Sequence, residues 1–193
     1  GSELELGRSL ANMHRAVSPN GEFGFEVDNT IGATPQPNLP WMQSWPDFWD
    51  THRLGHMLTL TGNAGLNDQQ VAALRTKTRD MLSHEPLPSL IHGDLWGGNK
   101  GYAKGEDGGA MIPVIFDPAT YYGDREADVA MTYLFGGFGS DFYQGYQEEW
   151  PLPDGHETRK TIYNLYHILN HDVLFGGGYL RQAQGMIDQI LKS

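Results

Sequence analysis

The chain has 193 residues, 39% of them hydrophobic, which suffices for one sizeable core and falls short of two ordinary domains. It has no cysteine, which excludes a disulfide scaffold, thiol catalysis and cysteine-held zinc or iron–sulfur clusters. Against 13 Lys and Arg stand 24 Asp and Glu, a net charge of −11, so neither nucleic acid nor an anionic membrane surface is an expected partner. No apolar run reaches the roughly 18–20 residues of a membrane span. With no cysteine and no N-x-[ST] glycosylation site, the expected location is cytoplasmic, with an upstream organelle-targeting segment left open. Gly1-Ser2 reads as a cloning scar.

Residues 3–16 read as a helix, with Leu6, Leu10, Met13 and Val17 at helical spacing. Residues 17–46 hold five Pro and three Gly, which predicts an irregular strap packed on a surface or gating a site. Trp41, Trp45, Phe48 and Trp49 at its end are expected to anchor it to the core. A helix is predicted from Asp47 to about Leu60, and another capped by Asn67 with Val71, Leu74, Thr78, Met81 and Leu82 on its apolar face. Short strands are predicted at Ser89–His92, Lys100–Ala103 and Met111–Phe116, the last two joined by the loop 105–109. Helices then follow at about 124–135, 140–149, 156–174 and 178–191. The expected fold class is α+β, predominantly helical, around a small β element.

Chemistry concentrates where two apolar strands run into polar loops. The first loop carries His92, Asp94 and, five residues on, Asn99; the second begins at Asp117. That arrangement suits metal-assisted phosphoryl transfer: one carboxylate accepts a hydroxyl proton, while an Asn and a second carboxylate hold Mg²⁺ on nucleotide phosphates. Magnesium takes few protein ligands, all oxygen, so two such side chains suffice. Turn capping by a single Asp–Asn pair would be the plainer reading, but it does not account for the His-x-Asp and the second strand-end Asp together.

The strings His92-Gly-Asp-Leu-Trp-Gly-Gly-Asn99 and Phe116-Asp-Pro-Ala-Thr-Tyr-Tyr-Gly-Asp-Arg-Glu-Ala-Asp-Val-Ala-Met131 closely resemble the fructosamine (ketosamine) 3-kinase family. The likeness runs on through Tyr163-Asn-Leu-Tyr-His-Ile-Leu-Asn-His171 and weakly back to Leu6-Gly-Arg-Ser-Leu-Ala-Asn-Met-His14. The resemblance implies a protein-kinase-like fold, shared with aminoglycoside phosphotransferases, of which residues 3–193 would be the C-terminal lobe. It implies ATP and Mg²⁺ as cofactors and a ketosamine, free or on a glycated protein lysine, as acceptor. Asp94 would be the proton acceptor, Asn99 and Asp117 the metal ligands, and His92 and Asp128 supports of the loop. Trp96, Tyr122 and Arg125 are candidate acceptor contacts by nearness in sequence.

No G-x-G-x-x-G stretch or Walker motif is present, so a nucleotide-covering lobe is expected to be missing. The isolated chain would then be weakly active or inactive, and its uncovered inter-lobe face would favour self-association. A kinase for another small-molecule hydroxyl, such as an aminoglycoside or choline, and a non-catalytic lobe remain alternatives. Asp50-Thr-His52 matches one element of a metallophosphatase but falls inside a predicted helix. His167 and His171 have i, i+4 zinc-ligand spacing but read as packing residues.

Overall fold

The computed structural model describes residues 1–105 and 108–193; Glu106 and Asp107, in the loop predicted between two strands, lie outside the described residues. The helices are α1 (Glu3–His14), α2 (Trp45–Phe48), α3 (Gly55–Leu60), α4 (Asp68–Met81), α5 (Glu126–Leu134), α6 (Ser140–Glu149), α7 (His156–Phe175) and α8 (Tyr179–Lys192). Among the described residues six short strands pair two by two, all antiparallel: β1 (Asn29–Ile31) with β2 (Thr34–Gln36), β3 (Ser89–Ile91) with β6 (Tyr121–Gly123), and β4 (Lys100–Lys104) with β5 (Met111–Ile115).

Ser2 caps α1, its hydroxyl accepting from the Glu5 N–H at 3.2 Å, with Glu3 and Glu5 at the positive end of the helix dipole. The apolar stripe Leu6, Leu10, Ala11 packs with Phe142 and Tyr146 of α6 in a small second core. Glycine sets the closeness of that pair. A Cβ at Gly7 would meet the Phe142 carbonyl oxygen at 2.0 Å, and one at Gly145 the Leu4 carbonyl oxygen at 2.1 Å.

Residues 17–46 are not wholly irregular: β1 and β2 form a hairpin inside them, with Asn29 opposite Gln36. Polar side chains hold it on the loop that leads into β6. Gln36 Nε2 donates to the Ala119 carbonyl at 3.0 Å, and Asn29 Nδ2 to the Thr120 carbonyl at 2.7 Å. Arg53, fully buried, clamps the following turn by donating to the Pro37 carbonyl at 2.6 Å and Asn38 Oδ1 at 2.7 Å. Its guanidinium lies 3.9 Å from the Tyr121 ring centroid. Trp45, Phe48 and Trp49 are buried in the main core as anchors, whereas Trp41 is only half-buried.

The helix predicted from Asp47 begins at Trp45, capped by the Ser44 hydroxyl. It widens into a π-helical stretch, Trp49–Leu54, before α3. Gly55 permits this widening: its N–H reaches the Asp50 carbonyl, and a Cβ there would stand 2.4 Å from that oxygen. The Asp50-Thr-His52 motif lies inside it, with Asp50 held by Arg75 Nε and Nη2, each at 2.8 Å, rather than presented at a strand end. Helix α4 starts with a capping box, Asn67 and Gln70 exchanging side-chain to backbone bonds at 2.9 and 3.0 Å.

Helix α7 runs through the main core beneath these elements. The start of α5 is tied to it by buried polar contacts: Arg159 grips Glu126 through two bonds of 2.8 and 2.7 Å, and Tyr163 donates to Asp124 Oδ2 at 2.5 Å. His171 Nδ1 donates to the His167 carbonyl at 2.7 Å while the His167 ring is buried, so these two histidines do not present a shared pair of metal-ligand nitrogens.

Candidate functional site

The two loops that carry polar residues are pinned at both ends by the same pair of ladders. Strand β3 ends at Ile91 opposite Tyr121, and β4 begins at Lys100 opposite Ile115. Residues 92–99 therefore bridge the two ladders on one side, and residues 116–120 bridge them on the other. Backbone bonds tie them together: Ala119 N–H to the His92 carbonyl at 2.9 Å and Phe116 N–H to the Asn99 carbonyl at 3.1 Å. Strand β6, only three residues within an aromatic run, is, like β1 and β2, an element the sequence did not reveal.

This frame brings Asp94, Asn99 and Asp117 together. Asn99, buried, donates from Nδ2 to the Asp94 carbonyl at 2.9 Å, with longer contacts of 3.4 Å to Asp94 Oδ2 and to the Asp117 carbonyl. Since Nδ2 serves these acceptors, the Asn99 side-chain oxygen is left with no hydrogen bond among the described residues. The Asp117 carboxylate is exposed and also forms none among them. Asp117 holds a left-handed backbone, φ 56°, which costs a non-glycine residue about 1–2 kcal/mol.

Asp94 is half-buried. Burial, followed by the neighbouring Asp117 and Asp128 carboxylates, pushes its carboxyl up to about 7, against a small opposing pull from the Asn99 hydrogen bond. A carboxylate raised to that range matches a proton acceptor working near neutral pH.

His92 is buried behind the loop. Its Nε2 donates to the Phe116 carbonyl at 2.8 Å and its Nδ1 accepts from the Asp94 N–H at 3.2 Å, which fixes the Nε2–H tautomer. Asp128 accepts from the His92 and Gly93 N–H groups at 2.7 and 2.8 Å.

The three candidate acceptor contacts are placed differently. Trp96 is 43% exposed, and its ring covers Gly98 so closely that a Cβ there would sit 2.2 Å from it. Tyr122 lies 6.1 Å, centroid to centroid, from both Phe25 and Trp41, where the 17–46 strap crosses β6. Arg125 is 8% exposed and directs its donors inward, to the Tyr146 hydroxyl at 3.0 Å and the Trp150 and Pro151 carbonyls at 2.9 and 2.6 Å. Of the three, Trp96 alone belongs to the Asp94 loop.

Two residues near the site were given no role by the sequence, although His14 closes the Leu6–His14 string. His14 ends α1 and Tyr146 lies in α6, yet His14 Nε2 is 3.0 Å from Asp128 Oδ2 and His14 Nδ1 is 2.8 Å from the Tyr146 hydroxyl. The signal available in sequence was a polar His one turn after Leu10 on an otherwise apolar stripe.

The arrangement can take a proton from a hydroxyl and offer oxygen ligands to a hard cation. That is the equipment of a phosphoryl-transfer site.

A family model described as fructosamine kinase matches residues 1–193. A Synechocystis sp. protein named "Probable ketoamine kinase" is 51% identical over 196 residues, which cover 99% of this chain and 63% of the relative. The Arabidopsis thaliana "Protein-ribulosamine 3-kinase, chloroplastic" is 42% identical over 196 residues, covering 100% of this chain and 58% of the relative. A crystal structure from Haemophilus somnus 129PT, named "Putative fructosamine-3-kinase", has a TM-score of 0.83 at 32% identity and covers 99% of this chain and 64% of that one. The chain belongs to the fructosamine kinase family. It spans less than two thirds of the length of these relatives.

Proposed function

We propose that this chain carries the proton-acceptor and metal-ligand half of an ATP-dependent kinase for ketosamines, built as the C-terminal lobe of a protein-kinase-like fold. The observation that supports this reading best is the convergence of Asp94, Asn99 and Asp117, with the Asp94 carboxyl raised toward neutrality.

In this reading Asp94 accepts the proton of a sugar hydroxyl as that oxygen bonds to the γ-phosphorus of ATP and the bond to ADP breaks. The Asn99 side-chain oxygen and the Asp117 carboxylate would hold Mg²⁺; both are hard oxygen donors without a protein partner among the described residues, which fits that ion. Bound there, the cation would neutralise charge on the nucleotide phosphates. His92 and Asp128 hold the loop in shape, and Trp96 is the candidate contact to the acceptor. The names of the relatives favour ketosamine adducts, free or on protein lysine, over aminoglycosides or choline as acceptors. Among the described residues no helix is long and apolar enough to cross a membrane. We place the protein in the cytoplasm, with a plastid as the alternative that the Arabidopsis relative's name supplies.

The deciding experiment is Mg·ATP consumption with fructosyl-lysine, using the chain extended to the length of its relatives and Asp94→Asn as the blank. Turnover that vanishes in the blank supports the reading. Turnover that survives in Asp94→Asn removes Asp94 from the proposed role, and no turnover despite ATP binding removes the ketosamine.

A further inference from the structure

Asp128 is buried in α5, and its carboxylate receives three hydrogen bonds: from the N–H groups of His92 and Gly93 at 2.7 and 2.8 Å, and from His14 at 3.0 Å. Burial pushes its carboxyl up, but the hydrogen bond from His14 and that from the Gly93 N–H oppose it, and the group is held below the usual carboxylate range. An ionised carboxylate only accepts, so His14 Nε2 must carry its proton.

The far side of His14 is equally determined. Arg125 can only donate, and its Nη1 gives the Tyr146 oxygen a hydrogen bond of 3.0 Å. The Tyr146 hydroxyl is then free to donate to His14 Nδ1 at 2.8 Å. Burial raises this phenol well above its ordinary value, so it remains an O–H donor. Arg125 is itself fixed by the Trp150 and Pro151 carbonyls. The result is one directed row: Arg125, Tyr146, His14, Asp128, then the two peptide N–H groups that precede Asp94. Every member is satisfied, the condition under which a buried polar network specifies one geometry rather than weakening the core.

Packing alone does not call for this row, since a leucine at position 14 would continue the stripe of Leu6 and Leu10. What the row constrains is the His92–Gly93 step. Gly93 has φ +83°, and a Cβ on it would stand 2.0 Å from the Ala119 carbonyl oxygen, so a small rotation of that peptide would redirect Asp94.

We infer that His14 is a positioning residue for Asp94, acting through Asp128 on the His92 and Gly93 peptide groups and held in register by Tyr146 and Arg125. Its kinetic consequence rests on the phosphotransfer reading above; its structural consequence does not.

The test compares His14→Leu, which keeps bulk without hydrogen bonds, with His14→Gln, whose amide can donate to Asp128 and accept from Tyr146. Amide hydrogen exchange at His92 and Gly93 is followed by NMR in this chain, and kcat and KM in the chain extended to the length of its relatives. For His14→Leu we expect exchange at both amides to quicken about 10-fold or more relative to the α7 core, with kcat falling about 10–100-fold and KM for ATP within about 3-fold. His14→Gln should restore both most of the way. If His14→Leu does not fold, Tyr146→Phe replaces it, with about a 3–10-fold loss of kcat and the same two amides quickened. Unchanged exchange at His92 and Gly93 in a folded variant overturns the inference. So does a kcat loss that His14→Gln leaves in full, or one no larger than the unfolded fraction accounts for. A protein inactive on ketosamines would count against the proposed reaction, and the exchange comparison would still decide the role of His14.

Discussion

Gly93 and Ala119 touch through their backbones: a Cβ built on Gly93 would lie 2.0 Å from the Ala119 carbonyl oxygen, at a residue whose φ is +83°. Neither the contact nor the dihedral tolerates a side chain. Gly93→Ala is therefore expected to lose about 3 kcal/mol or more from left-handed strain and overpacking together. For a chain of this length that lowers Tm by roughly 6–12 °C. A melt within 2 °C or so of the parent would show that the two loops can separate more easily than this contact implies.

Asp117 offers the opposite trade. Its left-handed backbone favours glycine, while its carboxylate is one of the proposed cation ligands. Asp117→Gly should therefore stabilise the fold slightly, by about 0.5–1 kcal/mol, while removing Mg²⁺-dependent turnover. Denaturant midpoints and the Mg²⁺ dependence of ATP binding check the two halves separately. A destabilised variant would mean that the carboxylate makes a contribution to folding that its exposure does not suggest.

The parts of this molecule that could be read from the sequence were those where period or punctuation is strong. Asn67 as a cap, the apolar stripe of α1 and the strands flanking residues 92–99 all follow from local rules. The grouping of Asp94, Asn99 and Asp117 was legible because two strand-end loops carried them. The β1–β2 hairpin was not, since Pro35 sits within it and its stabilising bonds run from Asn29 and Gln36 to residues more than 80 positions away. The role of His14 and Tyr146 was hidden for the same reason: a buried polar row between α1, α5 and α6 leaves no spacing to recognise. Arg125 misled by nearness, because three residues along a turn into a helix reverse the direction a side chain takes.

Arg53 tests how the 17–46 strap is held. It is a fully buried cation whose hydrogen bonds go to the Pro37 and His52 carbonyls and to Asn38, and it stacks on Tyr121 and Phe48. Lysine has neither the planar fork nor the stacking face. Arg53→Lys should cost about 2–4 kcal/mol by leaving carbonyls unpaired in the core. The β1–β2 hairpin is expected to become the first protease-sensitive segment; cleavage appearing first elsewhere would place the strap's anchor in the aromatic residues instead.

His167 gives the fold an acid limit. Burial first, then repulsion from His171 and Arg53, depresses its ring to about 3 against a weaker opposing pull from Asp128. The unfolded chain binds a proton at this histidine below about 6.5 and the folded chain does not, so stability from this group is full above that value and is lost as pH falls toward 3. The loss between pH 7 and pH 5 amounts to about 2 kcal/mol. His167→Gln removes the titration, so the difference in unfolding free energy between parent and variant should shift by about that amount in favour of the variant at pH 5. Equal pH dependence in the two proteins would mean that the ring can take up a proton inside α7, with water or a neighbouring carboxylate reaching its Nδ1, which has no partner among the described residues.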